Sequence, residues 1–179
     1  MQKPEIPNNE QQRLQALNSY QILDRLDDEA YNDITLLASE ICQTPISVIS
    51  IIDENRQWFK AKVGLEAKET SRDVAFCAHA INKADEILVV PDARLDDRFH
   101  DNPLVTGNPN IVFYAGVPLV DEDGFALGTL CAIDTKPNQL NEQQLRALKI
   151  LAKNVIDLLN VRKKNIALIE TENIQSRYR

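Results

Sequence analysis

Two thiols, two imidazoles and a few aromatic rings carry most of the chemistry open to this sequence. Cys77 and His79 stand two apart in Phe76-Cys77-Ala78-His79-Ala80, and Cys131 lies in a second apolar stretch. A thiolate becomes a nucleophile or redox centre when a nearby cation favours its charged form, and Arg72, Arg98 and His79 are the candidates. Without such a cation, Cys77 and Cys131 are inert packed thiols; both readings stay open. Cys77 and His79 do not suffice for zinc, which needs further ligands, and their positions diverge by about 200° on a helix. The acidic run Asp92, Asp96, Asp97 and Asp101 lacks the glycine and closing glutamate of an EF-hand, so it reads as caps and turns. No P-loop, G-x-G-x-x-G, G-x-S-x-G or H-E-x-x-H occurs, so no catalytic residue is assigned and no metal or cofactor is implied. What remains is an aromatic and thiol set: Trp58, Phe76, Phe99, Phe113 and Tyr114 with Cys77 and Cys131. These residues either line one cavity or fill a core.

The elements that position them follow from periodicity. Leu14, Leu17, Ile22 and Leu23 recur at helical spacing before the acidic break Asp27-Asp28. A second helix is expected from Glu29 to Gln43, with Ile34, Leu37, Ala38 and Ile41 on one face and Pro45 as its stop. The β-branched run 46–52 reads as a strand. It pairs across a DENR turn with 57–63, where alternation puts Phe59, Ala61 and Val63 opposite Trp58, Lys60 and Lys62. After a polar loop, 74–82 reads as helix and 87–90 as a short strand. The turn-rich stretch 92–110 is long enough to be functional rather than idle. The last hairpin, 111–120 and 125–133, turns at Asp121-Glu122-Asp123-Gly124, where Asp-Gly suits a tight turn. Its first strand carries Ile111, Phe113, Ala115, Val117 and Leu119 on one face and Val112, Tyr114 and Val120 on the other. A strand apolar on both faces is central and covered twice.

A final helix is expected from Asn141, capped reciprocally by Gln144, to the chain's end. A heptad reading places Leu145, Leu148, Ala152, Val155, Leu159, Arg162, Ile166, Ile169 and Asn173 on its seam, with Arg162 and Asn173 as polar exceptions. Beyond Arg162 the helix outruns a single domain, which points to a partner helix. Arg162-Lys163-Lys164 reads as a solvated face. The whole is an α+β domain with a mostly antiparallel sheet.

Composition sets the bounds. The chain has 179 residues, a net charge of −7, 44% hydrophobic and 26% charged residues, which fits one soluble core. Net acidity argues against nonspecific binding to nucleic acid or anionic membrane. No apolar run approaches the roughly 20 residues of a membrane span, and the polar start lacks a signal peptide's apolar stretch. Three cysteines, an odd number, do not make a secreted disulfide framework. A cytoplasmic location is expected.

The string RQWFKAKVGLEAKETSRDVAFCAHAI, with ILVVPDARLDDRFHDNPLVTGNPNIVFYAGVPLVDEDGFALGTLCAIDTKPNQL, closely resembles the GAF domain. More narrowly it resembles the bacterial sensory subgroup found ahead of histidine kinases and diguanylate cyclases. The resemblance implies a profilin-like α+β fold: a central antiparallel sheet of five or six strands, terminal helices on one face, and a ligand cavity on the other. Segments 65–82 and 92–110 would roof that cavity. It also implies a helix-mediated homodimer signalling to a kinase or cyclase output protein. The N-K-x-n-F-x-x-x-D-E signature of cyclic-nucleotide-binding members is absent, and Ala78 separates Cys77 from His79, unlike the bilin-binding members. Members that reduce free methionine sulfoxide cluster cysteines in the lid, whereas none lies here between Cys77 and Cys131.

The expectation is therefore a disordered polar segment 1–9, a GAF domain 10–160 and a signalling-helix extension 161–179. A small molecule of unknown identity would bind among Trp58, Arg72, Phe76, Cys77, Phe113, Tyr114 and Cys131, with Arg72 forking onto an anionic group. Two alternatives are carried: a ligand-free dimerisation or protein-interaction module, and a free methionine sulfoxide reductase.

Overall fold

The structure, a computed structural model, describes residues 1–25 and 28–178; the expected break at Asp27 lies outside them. The β-branched run forms strand β1 (Ile46–Ile52), buried along its whole length. It pairs antiparallel on one side with β2 (Arg56–Val63), which pairs with a short β3 (Glu69–Ser71) inside the segment that read as polar loop. On the other side it pairs with β6 (Ala126–Asp134), then β5 (Phe113–Val120) and β4 (Leu88–Val90). The result is one antiparallel sheet of six strands in the order β3-β2-β1-β6-β5-β4. In the β5–β6 turn Asp121 Oδ1 accepts from the amides of Asp123 and Phe125, and Gly124 alone takes a positive φ, +86°.

One face is covered by helices α1 (Glu10–Ser19), α2 (Glu29–Cys42) and α5 (Glu142–Arg177). Leu17, Ile34, Ala38, Leu148, Val155 and Leu159 meet Ile49, Ile51, Phe113, Ala115 and Leu130 there. Two expectations need correction. Helix α1 ends at Ser19, so Ile22 packs from a turn rather than from helix. On α2 the buried stripe is Tyr31, Ile34, Thr35, Ala38 and Cys42; Leu37 and Ile41 are 46% and 38% exposed. Gln43 ends α2 in the left-handed region (φ 53°), two residues before Pro45. The Asn141–Gln144 capping box starts α5, whose burial stops at Leu159. Arg162 does not sit idle in a seam. Its guanidinium donates to the carbonyls of Tyr20 and Gln21, both at 2.7 Å, and so closes the C-terminal end of α1. Among the described residues no helix is long and apolar enough to cross a membrane.

The other face carries short segments: a 3₁₀ turn at Arg72–Val74, α3 (Phe76–Ala80), a 3₁₀ turn at Ala93–Leu95, and α4 (Pro103–Thr106). Extended backbone at Ala75 splits the helix expected over 74–82. Asp92, Asp96 and Asn102 accept from amides two residues on, as capping residues do. Residues 1–9, expected to be disordered, run against this layer instead. Gln2 N donates to Arg98 O at 3.2 Å, and Asn82 Nδ2 donates to Glu5 O at 2.9 Å.

A bulge decides what β2 presents to each face. Ile49 pairs with Ala61 but Ser50 pairs with Phe59, which leaves Lys60 as the extra residue. Phe59 therefore packs on the lid side and Ala61 on the helix side, although plain alternation puts them together. Lys60, buried, reaches Asp28 at 2.6 Å and lies 4.9 Å from the Tyr31 ring.

At the open end of the sheet, Glu10 of α1 bridges two buried guanidiniums. Arg13 donates to it through Nε and Nη2 (2.8 and 2.9 Å) and to Ile52 O through Nη1 (2.8 Å). Arg72, in the lid layer, donates to the same carboxylate and to Asp53 O. Burial alone would raise the Glu10 pKa, but these hydrogen bonds and charges outweigh it and hold the group at about 2. A carboxylate whose pKa falls on folding stabilises the fold above its unfolded value, and that stability is lost as pH falls towards 2. Glu10→Gln is expected to cost on the order of 2 kcal/mol at pH 6, less than a fully dry pair because the Glu10 side chain is still 16% exposed. In urea titrations from pH 6 to pH 3 the variant should show a shallower pH dependence than wild type. Parallel curves would remove Glu10 from the account.

Candidate ligand cavity

A cavity of about 440 Å³ lies between the sheet and the lid layer. Its floor comes from alternate residues of four strands: Ile46 and Val48 of β1, Gln57 and Phe59 of β2, Tyr114 of β5, and Cys131 and Ile133 of β6. Its roof comes from 64–67, Phe76, Cys77, Leu104, Asn108, Pro109 and Ile111, and Thr70 of β3 borders it at the sheet's edge. Four of the expected residues meet there: Phe76, Cys77, Tyr114 and Cys131. Three do not. Trp58 and Phe113 are one residue out of phase with the floor and pack on the helix side. Arg72 holds Glu10 and the carbonyls of Asp53 and Glu54 and does not line the cavity. Phe99 stands behind the roof, stacked on Phe76 at 3.9 Å and 9°.

Parity was available to find this. Adjacent residues of one strand cannot both face one cavity, so Tyr114 excludes Phe113, and Phe59 brings Gln57 rather than Trp58. No local signal marked Arg72, whose partner lies 62 positions away.

Two polar clusters interrupt the apolar lining. In the first, Thr129 Oγ1 and Tyr114 Oη donate to Cys77 Sγ at 2.9 and 3.2 Å. Burial would raise the Cys77 pKa, but hydrogen bonds from Cys131, Thr129 and Tyr114 outweigh it and lower it. Burial raises those of Tyr114 and Cys131, and takes Cys42, on the helix side, to about 11. None of the three expected cations reaches the sulfur: Arg72 holds Glu10, Arg98 holds Asp96, and His79 meets the edge of Phe99. In the second cluster Ser50 Oγ donates to Gln57 Oε1 at 2.9 Å, Gln57 Nε2 to Thr70 Oγ1 at 3.0 Å, and Thr70 Oγ1 to Ser71 O at 3.0 Å. Glu66, exposed at the mouth, is the one charged residue among the described lining residues. No group of three or more metal-ligating side chains occurs among the described residues.

Residues 28–156 match the family profile described as GAF domain. The chain belongs to the GAF domain family. A cyclic di-GMP phosphodiesterase of Pseudomonas aeruginosa is 38% identical over the whole of this GAF chain, which spans 30% of that protein's length. Among solved structures, the blue-light-absorbing PixJ GAF domain of Thermosynechococcus elongatus superposes with a TM-score of 0.62, at 16% identity over 98% of this chain and 99% of that one. The free methionine-R-sulfoxide reductase of Neisseria meningitidis gives 0.62 at 17% identity, over 87% and 90%. At such identities the likeness is one of fold.

Gly116 fixes the first cluster. A Cβ there would lie 2.2 Å from Tyr114 Oη, because the phenol lies flat over this glycine to reach Cys77. Gly116→Ala is expected to cost about 1–3 kcal/mol in urea unfolding, as overpacking does. Combined with Tyr114→Phe, it should cost as much or slightly less, since the crowded hydroxyl is gone. An alanine tolerated without loss would contradict this packing.

Proposed function

We propose that this GAF domain is a sensory module of signal transduction that binds a small molecule in the lid-side cavity. The single observation that carries the reading is that cavity: pre-formed, walled by apolar and aromatic side chains, with two convergent polar clusters, as small-molecule sites are. The roof segments that enclose it are the natural element for a ligand to bias. In this reading Phe76, Cys77, Tyr114 and Cys131 are contact residues, joined by Gln57, Phe59 and Thr70.

The second half of the proposal concerns output. In this reading residues 10–160 are the sensory unit and 161–179 its signalling extension, carried by α5 as far as Arg177. Val161, Leu168 and Ile169 are more than half exposed on that extension, which suits a helix pairing with a second copy. The likeness to part of a cyclic di-GMP phosphodiesterase supports an output partner of the second-messenger kind, with a kinase or cyclase as the alternatives, in the cytoplasm. Methionine sulfoxide reduction is not favoured, since Cys77 and Cys131 are both buried and no further cysteine lies between them.

Native mass spectrometry of freshly purified protein at micromolar concentration tests both halves. A dimer carrying a dissociable extra mass is expected. Ile111→Trp, which fills the cavity, should keep the dimer and lose the mass. A monomer would overturn the helix-pairing half. An extra mass that persists in Ile111→Trp would place the ligand elsewhere, and a bare dimer would favour a ligand-free interaction module.

A further inference from the structure

The charge of the cavity restricts its occupant. Among its described lining residues there is no Lys, Arg or His, and Glu66 at the mouth adds negative charge. The cation best placed by sequence to meet an anion, Arg72, is spent on Glu10. A phosphate or carboxylate entering would lose its water and gain no counter-charge, which is prohibitive for an ion in apolar surroundings.

The second polar cluster adds direction. Thr70 donates its hydroxyl hydrogen to Ser71 O, so towards Gln57 it can only accept; this fixes Nε2 on the Thr70 side and Oε1 on the Ser50 side. Strand β2 runs between β3 and β1, so Thr70 and Ser50 take the amide's two ends from opposite sides. One N–H and one oxygen lone pair remain. In a planar amide held from both sides, these two sit on the edge opposite Cγ, the edge that continues the side chain's own direction, and Gln57 lines the cavity. Flat apolar rings line the same cavity: Phe59, two residues along β2 from Gln57, on the floor, and Phe76, backed by Phe99, on the roof.

We infer that the cavity takes an uncharged, planar molecule whose rim carries a hydrogen-bond donor beside an acceptor, as in a lactam-bearing heterocycle, docked on the amide edge of Gln57. This rests on the sensory reading above and specifies its ligand class. The donor of the ligand meets Oε1, its acceptor meets Nε2, and its rings lie between Phe59 and Phe76. Gln57 is the specificity-determining residue, and anionic cyclic nucleotides are rejected.

The test uses four probes on the full chain, with binding read from chemical shifts of ¹³C-labelled Ile, Val and Leu methyls. They are 2-quinolone, its N-methyl derivative, naphthalene and cyclic AMP. 2-Quinolone is expected to bind wild type about tenfold more tightly than N-methyl-2-quinolone or naphthalene, the value of about one well-placed hydrogen bond. Cyclic AMP should leave the cavity methyls of Val48, Ile111 and Ile133 unmoved. In Gln57→Leu the three neutral probes should bind alike, and Gln57→Met, which keeps the side chain's length but has neither the amide N–H nor its oxygen, should also lose the preference. Equal binding of the neutral probes to wild type, survival of the preference in a folded Gln57 variant, or binding of cyclic AMP at those methyls would overturn the inference. The comparison of 2-quinolone with its N-methyl derivative needs no variant. Naphthalene separates the two levels: if it binds without discrimination the ligand class is wrong, and if no neutral probe moves those methyls the cavity reading itself fails.

Discussion

Strands β1, β5 and β6 carry apolar side chains on both faces, and that double-sidedness is the constraint from which the rest follows. Each face must be kept from water, because apolar area left exposed forfeits roughly 25 cal/mol per Å². Three helices cover one face with a continuous core. Short segments cover the other, and short segments cannot fill the space above four strands as tightly as long helices do. The space left over is the cavity. Its position is therefore set by the sheet, while its character is set by which residues alternate onto that face.

Charge-assisted hydrogen bonds tie α1 at both ends, to the lid layer at one and to α5 at the other. Glu10 holds Arg72 of the lid layer at one end, and Arg162 of α5 donates to the carbonyls of Tyr20 and Gln21, just past the last residue of α1, at the other. Helix α1 thus touches both the lid layer and α5. Charge-assisted hydrogen bonds of this kind are short and directional, so a shift of the roof strains a defined set of contacts rather than a diffuse surface. The same ties explain two arginines whose roles the sequence misstates. Arg72 resembles an anion-binding side chain and is an internal strut. Arg162 resembles a polar guest in a coiled-coil seam and is a helix cap.

Much of the fold is legible in the chain because it rests on local period and local caps. The limits of β1, the end of α2 near Pro45, the β5–β6 hairpin at Asp121–Gly124 and the Asn141–Gln144 box all follow from neighbouring residues. The site is legible only by halves. Phe76, Cys77, Tyr114 and Cys131 fall where aromatic and thiol clustering places them. Trp58 and Phe113 do not, because size drew attention where parity should have governed. The bulge at Lys60 is not written in any pattern of alternation; it appears only once β1 and β2 are paired. Partners far apart in sequence, Glu10 with Arg72 or Tyr20 with Arg162, are fixed by tertiary geometry and leave no local trace. The neutrality of the cavity becomes visible only after those partners have been assigned.

The sheet's lid side borders an open apolar cavity, whereas the interface between the sheet and α1, α2 and α5 is a filled core among the described residues. Nuclear Overhauser contacts from a small apolar probe, naphthalene, to the methyl groups of the labelled chain test this contrast most directly. The account predicts contacts to Val48, Ile111 and Ile133 and none to Ile34, Leu130 or Val155. Contacts to the second set, or none to the first, would contradict it.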